Sequence, residues 1–476
     1  MVDRLRARDL ALLARETPTS PMHNGTVEIF DPGESGFDHQ QLVALVADRI
    51  AFVPRYRQRL VSVPGRLANP AWVDDPDFDL AFHIRRSALP RPGTQDQLRE
   101  LVARIMSRPL DRSRPLWEVY FVEGLERGRV ALLSKSHQVL VDGVETVDLG
   151  QVLLDAGPER KVLAQDQWEP LGRPTSAALL LSALSDSVHH PDTVLQTTRG
   201  NLGAAFRSIG AATYRLGGLA GALGARQDAE TPFTRPLSQQ RRFVTVRTDL
   251  ADYRRIRELH GCTVNDVVLA TVAGGLRSWL MSRAESLSGL KKVRAIVPMS
   301  VIDDDLEATS LGSQISGHLV ELPIAEPSPV MRLHQVAYSF EAHRHTGRGV
   351  AANRLAGIAG FAPTTFHALG ARLAASEVRR GFHLPVTNVP GPQFPLYAAG
   401  ARMVETYPVH PLLPGHALAV GVTSYDGAVF YGVTADRDAF PDIDVLTQSL
   451  TDALEELRDT VGGRRAPRGR RPAKRR

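Results

Sequence analysis

The chain has 476 residues, 43% apolar and 23% charged, an ordinary globular composition that is long for one core, so two or three domains are expected. Cys262 is the only cysteine, which excludes an intramolecular disulfide and fits a reducing cytosol. No run approaches the roughly 18 apolar residues of a spanning helix, and no apolar stretch follows the charges of Met1 to Arg6, so neither a membrane span nor a secretory signal is expected.

In chain order, Glu16-Thr17-Pro18-Thr19-Ser20-Pro21-Met22-His23-Asn24-Gly25 reads as a loop entering a strand at Thr26 to Phe30, with His23 either a turn residue or part of a site. A helix follows Thr94. Thr94 and Gln97 have capping-box spacing, and Leu98, Leu101, Val102, Ile105 and Met106 fall on one face, which is predicted to be core. Two strand-like runs, Trp117 to Val122 and Arg129 to Lys135, then lead into Lys135-Ser136-His137-Gln138-Val139-Leu140-Val141-Asp142-Gly143. Asp142-Gly143 breaks the strand before Leu149, Val152 and Leu153 take up helical spacing. A strand thus delivers an imidazole to a turn.

Residues 166–240 are polar and Pro-containing at first, then carry short apolar runs and Gly-rich turns, and read as an interdomain connection with some helix. Its Leu/Ala-rich pieces either cover a domain seam or lie on a membrane surface. His189-His190 lacks an Asp-Gly at the needed spacing and is assigned no chemistry. The second half opens with a strand at Arg242 to Val246 and a helix near Tyr253 to Leu259. Thr263 and Asp266 again have capping-box spacing, before an apolar helix reaching about Arg283. Strands are expected at Val293 to Val297 and Ile315 to Leu322, a helical region from Ala351 to Ala375, and a hairpin turning at Asp426-Gly427. A last helix runs from about Asp442 to Arg458. The net charge is +5, but eight Lys/Arg and no acid lie between Arg464 and Arg476, so the rest of the chain is net −3. This tail is expected to be disordered, and either solvated or attached to anionic lipid at about 1 kcal/mol per charge. No aromatic residue is interleaved in it, so nucleic acid is not an expected partner.

The stretch from Lys135 to Gly143 resembles the His-His-x-x-x-Asp-Gly motif of the CoA-dependent acyltransferase superfamily, and its flanks resemble the bacterial wax ester synthase/diacylglycerol acyltransferase family. The segments Thr17 to His23, Pro54 to Leu60, Pro70 to Asp75, Pro115-Leu116-Trp117, Val264-Asn265-Asp266 and Pro385 to Pro392 are similar to further landmarks of that family, in its order. The resemblance implies an α/β fold of two chloramphenicol acetyltransferase-like domains, 1–165 and 241–462, joined by a partly helical connection, 166–240, with the basic tail, 463–476, beyond them. It implies acyl-CoA as substrate, diacylglycerol or a long-chain alcohol as acceptor, and a cytoplasmic protein touching the inner membrane or lipid droplets from the side. It also implies roles for six residues. His137 matches the supporting first histidine, Gln138 the catalytic base, Asp142 the carboxylate that holds the loop, and Gly143 the residue that leaves room beside the substrate; Asn265 and Asp266 match a segment facing the channel.

Gln138 departs from the pattern. Acyl transfer from a thioester to a hydroxyl needs a base, and an amide cannot accept a proton near neutral pH, although it can position a hydroxyl. In an extended segment neighbouring side chains leave on opposite faces, which aims His137 away from the channel unless the loop bends. Three readings stay open: an acyltransferase that tolerates Gln138, a non-catalytic binding paralogue, and a transferase with a different acceptor, an amine or a carrier-bound hydroxyl. No spacing suggests a metal site and no Gly-rich phosphate loop is present, so CoA is expected as a substrate and no resident cofactor is expected. The arginines of residues 109–118 are candidate partners of Asp142.

Overall fold

A computed structural model of the chain describes residues 3–64, 68–141, 148–159, 168–172, 231–285, 293–300, 315–344, 363–378 and 381–461. Asp142 and Gly143, His189-His190, most of the 166–240 connection and the basic tail lie outside the described residues.

The fold is α/β and is built on two six-stranded mixed sheets. In the first half the strands are β1 (His23–Asp31), β2 (Gln58–Val61), β3 (Ala71–Asp74), β4 (Ile84–Ala88), β5 (Trp117–Glu123) and β6 (Val130–His137). In the second they are β7 (Arg241–Asp249), β8 (Val293–Ser300), β9 (Ile315–Leu322), β10 (Leu384–Pro390), β11 (Tyr397–Ala398), β12 (Ala401–Val409), β13 (Leu418–Tyr425) and β14 (Ala428–Asp436). The sheet orders are β11-β12-β1-β6-β5-β4 and β7-β14-β13-β10-β8-β9, while β2 and β3 form a separate ribbon.

One segment crosses between the halves. β12 pairs antiparallel with β1, Gly25 opposite Val409 and Asp31 opposite Arg402, so residues 397–409 complete the first sheet although they follow residue 241 by more than a hundred positions. On the other side of β1 the register sets His23 opposite His137 and Gly25 opposite Lys135.

Local sequence explains the elements that were predicted. The helix Gln95–Met106 starts on the Thr94/Gln97 capping box, and the five apolar residues expected on its inner face are all buried. Burying each such side chain is worth about 1.5–3 kcal/mol before entropy is counted. The helix Val264–Ser282 starts on Thr263 and Asp266 in the same way. β13 and β14 turn at Asp426 and Gly427, both at positive φ, as a two-residue hairpin requires. The helix Pro363–Ser376 packs on β8, β9 and β10 of the second sheet and also reaches β1 and the turn Gln138–Leu140 of the first half. That contact makes the seam in which the motif sits.

Candidate active site

The end of β6 sorts the motif's side chains onto two faces. Lys135 is buried, with Nζ donating to the carbonyls of Ile105 (3.0 Å) and Arg108 (2.6 Å). Burial, partly offset by Glu118, pushes its ammonium down to about 8. His137 shares this face, away from Ser134 and Ser136. It meets Glu16 and His23: His137 Nε2 lies 3.5 Å from Glu16 Oε2, His23 Nε2 lies 3.2 Å from Glu16 Oε1, and the ring centroids are 5.6 Å apart. Val139 N–H donates to His137 Nδ1 at 3.2 Å, which leaves the ring's proton on Nε2, toward the carboxylate. Burial opposes ionisation of Glu16, but His137, His23 and Arg112 outweigh it and hold the carboxyl well below its usual range. Burial pushes His23 down to about 3 in spite of Glu16.

These three side chains bring ligand atoms within 4.8 Å of one another, a cluster that spacing along the sequence does not reveal. Its carboxylate is already engaged, by Arg112 at Oε2 and by Met22 N–H at Oε1 (3.3 Å). The cluster therefore orients two imidazoles through one carboxylate. Of the arginines expected near Asp142, which lies outside the described residues, Arg112 binds Glu16 and Arg114 sits 3.9 Å over the Phe82 ring.

Gln138 N–H donates to Met22 O at 3.0 Å, and its side chain is wholly buried with neither amide atom hydrogen-bonded among the described residues. The turn it opens is clamped from the second half. Arg372 donates to the carbonyl of Val141 and pairs with the buried Asp9, while Ala368 and Leu369 pack on Val141.

The opposite face of β6 looks into a narrow cleft. Ser134, Ser136, Asn24, Trp117 and Asp148 line it from the first half, and His367 and His410 from the second. Its free volume, about 20 Å³, holds one water-sized group, so it suits a hydroxyl and not an acyl chain. His367 Nδ1 lies 2.7 Å from Thr387 Oγ1, and the same oxygen lies 2.6 Å from His410 Nε2. Burial holds His410 at about 4 and His367 well below its usual value, and the nearness of the two rings further opposes charging both, so both rings are neutral at pH 7. Room for the His410 ring comes from Gly421, where a Cβ would stand 2.6 Å from Nε2.

Asn265 and Asp266 lie elsewhere. Asp266 is buried and accepts from Thr263 N–H at 2.8 Å, as a cap residue does. Asn265 Oδ1 accepts from Asn388 Nδ2 at 3.1 Å, joining two of the segments singled out by the family resemblance. Neither is among the described residues that line the cleft.

Comparison with known proteins decides the family. Residues 5–268 match the model of the wax ester synthase/diacylglycerol acyltransferase catalytic domain, and residues 311–458 match that of the WS/DGAT C-terminal domain. The chain belongs to the wax ester synthase/diacylglycerol acyltransferase family. Among its relatives is a Mycobacterium tuberculosis protein named probable diacylglycerol O-acyltransferase tgs2, 30% identical over 97% of this chain and 100% of that one. Another from the same organism, named probable diacylglycerol O-acyltransferase tgs3, is 38% identical over 55% of this chain and 98% of that one. The solved wax ester synthase/diacylglycerol acyltransferase of Marinobacter aquaeolei superposes with a TM-score of 0.67 at 26% identity, covering 96% of this chain and 100% of that one. The first condensation domain of the CDA synthetase, at 14% identity and a TM-score of 0.52 over 96% of each chain, shares the fold alone.

Within this wax ester synthase/diacylglycerol acyltransferase frame, sequence reasoning missed Glu16, Arg372, Thr387, His367 and His410. A family landmark contained Thr387, but His367 and His410 stand alone in unremarkable segments. Only the crossing of β12 into the first sheet brings His410 to the seam.

Proposed function

We propose that this protein transfers an acyl group from acyl-CoA to the hydroxyl of a diacylglycerol or a long-chain alcohol, making triacylglycerol or wax ester, with CoA as a substrate and without a resident cofactor. The observation that carries this reading is the position of the family's motif strand, whose Ser134 and Ser136 look into a cleft closed by side chains of both halves, wide enough for a hydroxyl. A larger groove of about 980 Å³ supports it. That groove runs between the helix Gln95–Met106 and β7 and is lined by six arginines, Arg99, Arg104, Arg108, Arg241, Arg242 and Arg437, against three acids, a surface suited to the phosphates of CoA. No helix among the described residues is long and apolar enough to cross a membrane, and the basic tail gives the chain an electrostatic hold on anionic lipid, at the inner membrane or a lipid droplet.

The test is an acyltransfer assay with radiolabelled palmitoyl-CoA against diacylglycerol and hexadecanol. Labelled triacylglycerol or wax ester supports the reading. Tight binding of palmitoyl-CoA without product from either acceptor would establish the rival reading, a binding protein on an enzyme's frame, which the amide at position 138 favours. Flotation with anionic vesicles, lost on removal of residues 463–476 or in high salt, checks the lipid contact.

A further inference from the structure

We propose that His367 and His410, bridged by Thr387, supply the proton acceptor that Gln138 cannot, so that the general base of this enzyme comes from the second half of the chain. The inference rests on the transferase reading above and deepens it.

Thr387 Oγ1 lies within hydrogen-bond distance of His367 Nδ1 and His410 Nε2 at once. A hydroxyl has one proton, so it donates to one ring and accepts from the other. The ring that donates to Thr387 carries its proton on the inner nitrogen and keeps a bare lone pair on the outer one. The other ring accepts from Thr387 and carries its proton on the outer nitrogen. With both rings neutral, one of the two outer nitrogens, His367 Nε2 and His410 Nδ1, is a base and the other an N–H donor. Both outer nitrogens are buried without a hydrogen-bond partner among the described residues. Such orphaned polar atoms cost stability unless something else uses them.

Their surroundings indicate what does. Both rings line the cleft into which Ser134 and Ser136 look. The helix that carries His367 also packs Ala368 on Val141 and holds the Val141 carbonyl with Arg372, so it is fixed to the motif turn itself. As the acceptor oxygen attacks the thioester carbonyl carbon, its proton passes to the bare imidazole nitrogen. When the tetrahedral centre collapses, the C–S bond breaks and the same proton goes to the departing CoA sulfur. Two buried, neutral rings make a weak base, so the expected turnover is slow, and a histidine at the family's usual position should raise it.

The test compares wild type, His367→Gln, His410→Gln and Thr387→Val, each alone and combined with Gln138→His, with palmitoyl-CoA and the better acceptor. The expected result is a fall in kcat of ~10²-fold or more for at least one histidine variant and about tenfold for Thr387→Val, with KM for palmitoyl-CoA held within about twofold. Gln138→His should raise kcat in the parent and restore it in the variants. An active wild type whose kcat is unmoved by both histidine substitutions overturns the base assignment and leaves the transferase reading intact. A wild type silent with every acceptor overturns both. Should a variant fail to fold, nitrogen-15 histidine spectra of the wild type decide. One outer nitrogen bare and one protonated supports the pair, and two outer nitrogens in the same state overturn it.

Discussion

His137 turns its Nε2 toward the Glu16 carboxylate, 3.5 Å away, on the face of β6 opposite the cleft. Its Nδ1 accepts the amide proton of Val139, so the ring works as the cap of the turn that opens at Gln138. Replacing His137 by Ala should lower stability by ~1–3 kcal/mol, through a buried carboxylate left short of a partner and an unsatisfied amide. His137→Asn, whose carbonyl can still accept from Val139, should recover part of the loss. Urea unfolding of the three proteins measures this, and equal stabilities would remove the structural role given to His137.

Arg372 and Asp9 form a buried pair across the seam, and Arg372 also donates to the Val141 carbonyl. Arg372→Met leaves the Asp9 carboxylate buried and unpaired, at an expected cost of ~3–5 kcal/mol. Arg372→Met with Asp9→Leu should be more stable than Arg372→Met alone, because no charge is then stranded. A double variant as unstable as the sum of the single ones would show that the two residues do not interact.

Gly421 leaves the space that the His410 ring occupies. Gly421→Ala should displace that ring from Thr387 and lower kcat by about tenfold or more, while KM for acyl-CoA changes little. Steady-state kinetics with both substrates, read beside a melting curve, separates this from general unfolding.

Glu28 is buried in β1, and burial, with the nearby Asp148 charge adding to it, pushes its carboxyl up to about 8. The folded protein therefore holds a proton there that the unfolded chain releases at its usual value of about 4.5. The contribution of Glu28 to stability is then fully present below pH 4.5 and is lost as pH rises toward 8. Glu28→Gln, neutral throughout, should be more stable than wild type at pH 8 and show no such advantage at pH 4.5. Melting temperatures of both proteins across that range provide the check.

What could be read from the sequence was local. Thr94 with Gln97, Thr263 with Asp266 and the Asp426-Gly427 turn each declare an element boundary within four residues, and each boundary stands where it was expected. The alternation of an extended segment aimed His137 away from the channel unless the loop bent, and its ring lies on the face of β6 opposite Ser134 and Ser136. What escaped was long-range. Asp9 and Arg372 are 363 positions apart, Glu16 and His137 are separated by 121, and neither pair has a periodicity that could announce it. The resemblance to a known family pointed to the motif turn, but it could not point to His367 or His410, because these lie outside every segment that carried the resemblance.

The crossing strand β12 also governs how the molecule can be made. Until residue 409 has left the ribosome, the edge of β1 that later takes Gly25 to Asp31 into register has no partner. An open strand edge is a template for other chains. A nascent chain or fragment ending near residue 240 should therefore need a chaperone or aggregate, and the catalytic seam, with its second-half histidines, comes into being only when nearly the whole sequence has been synthesised.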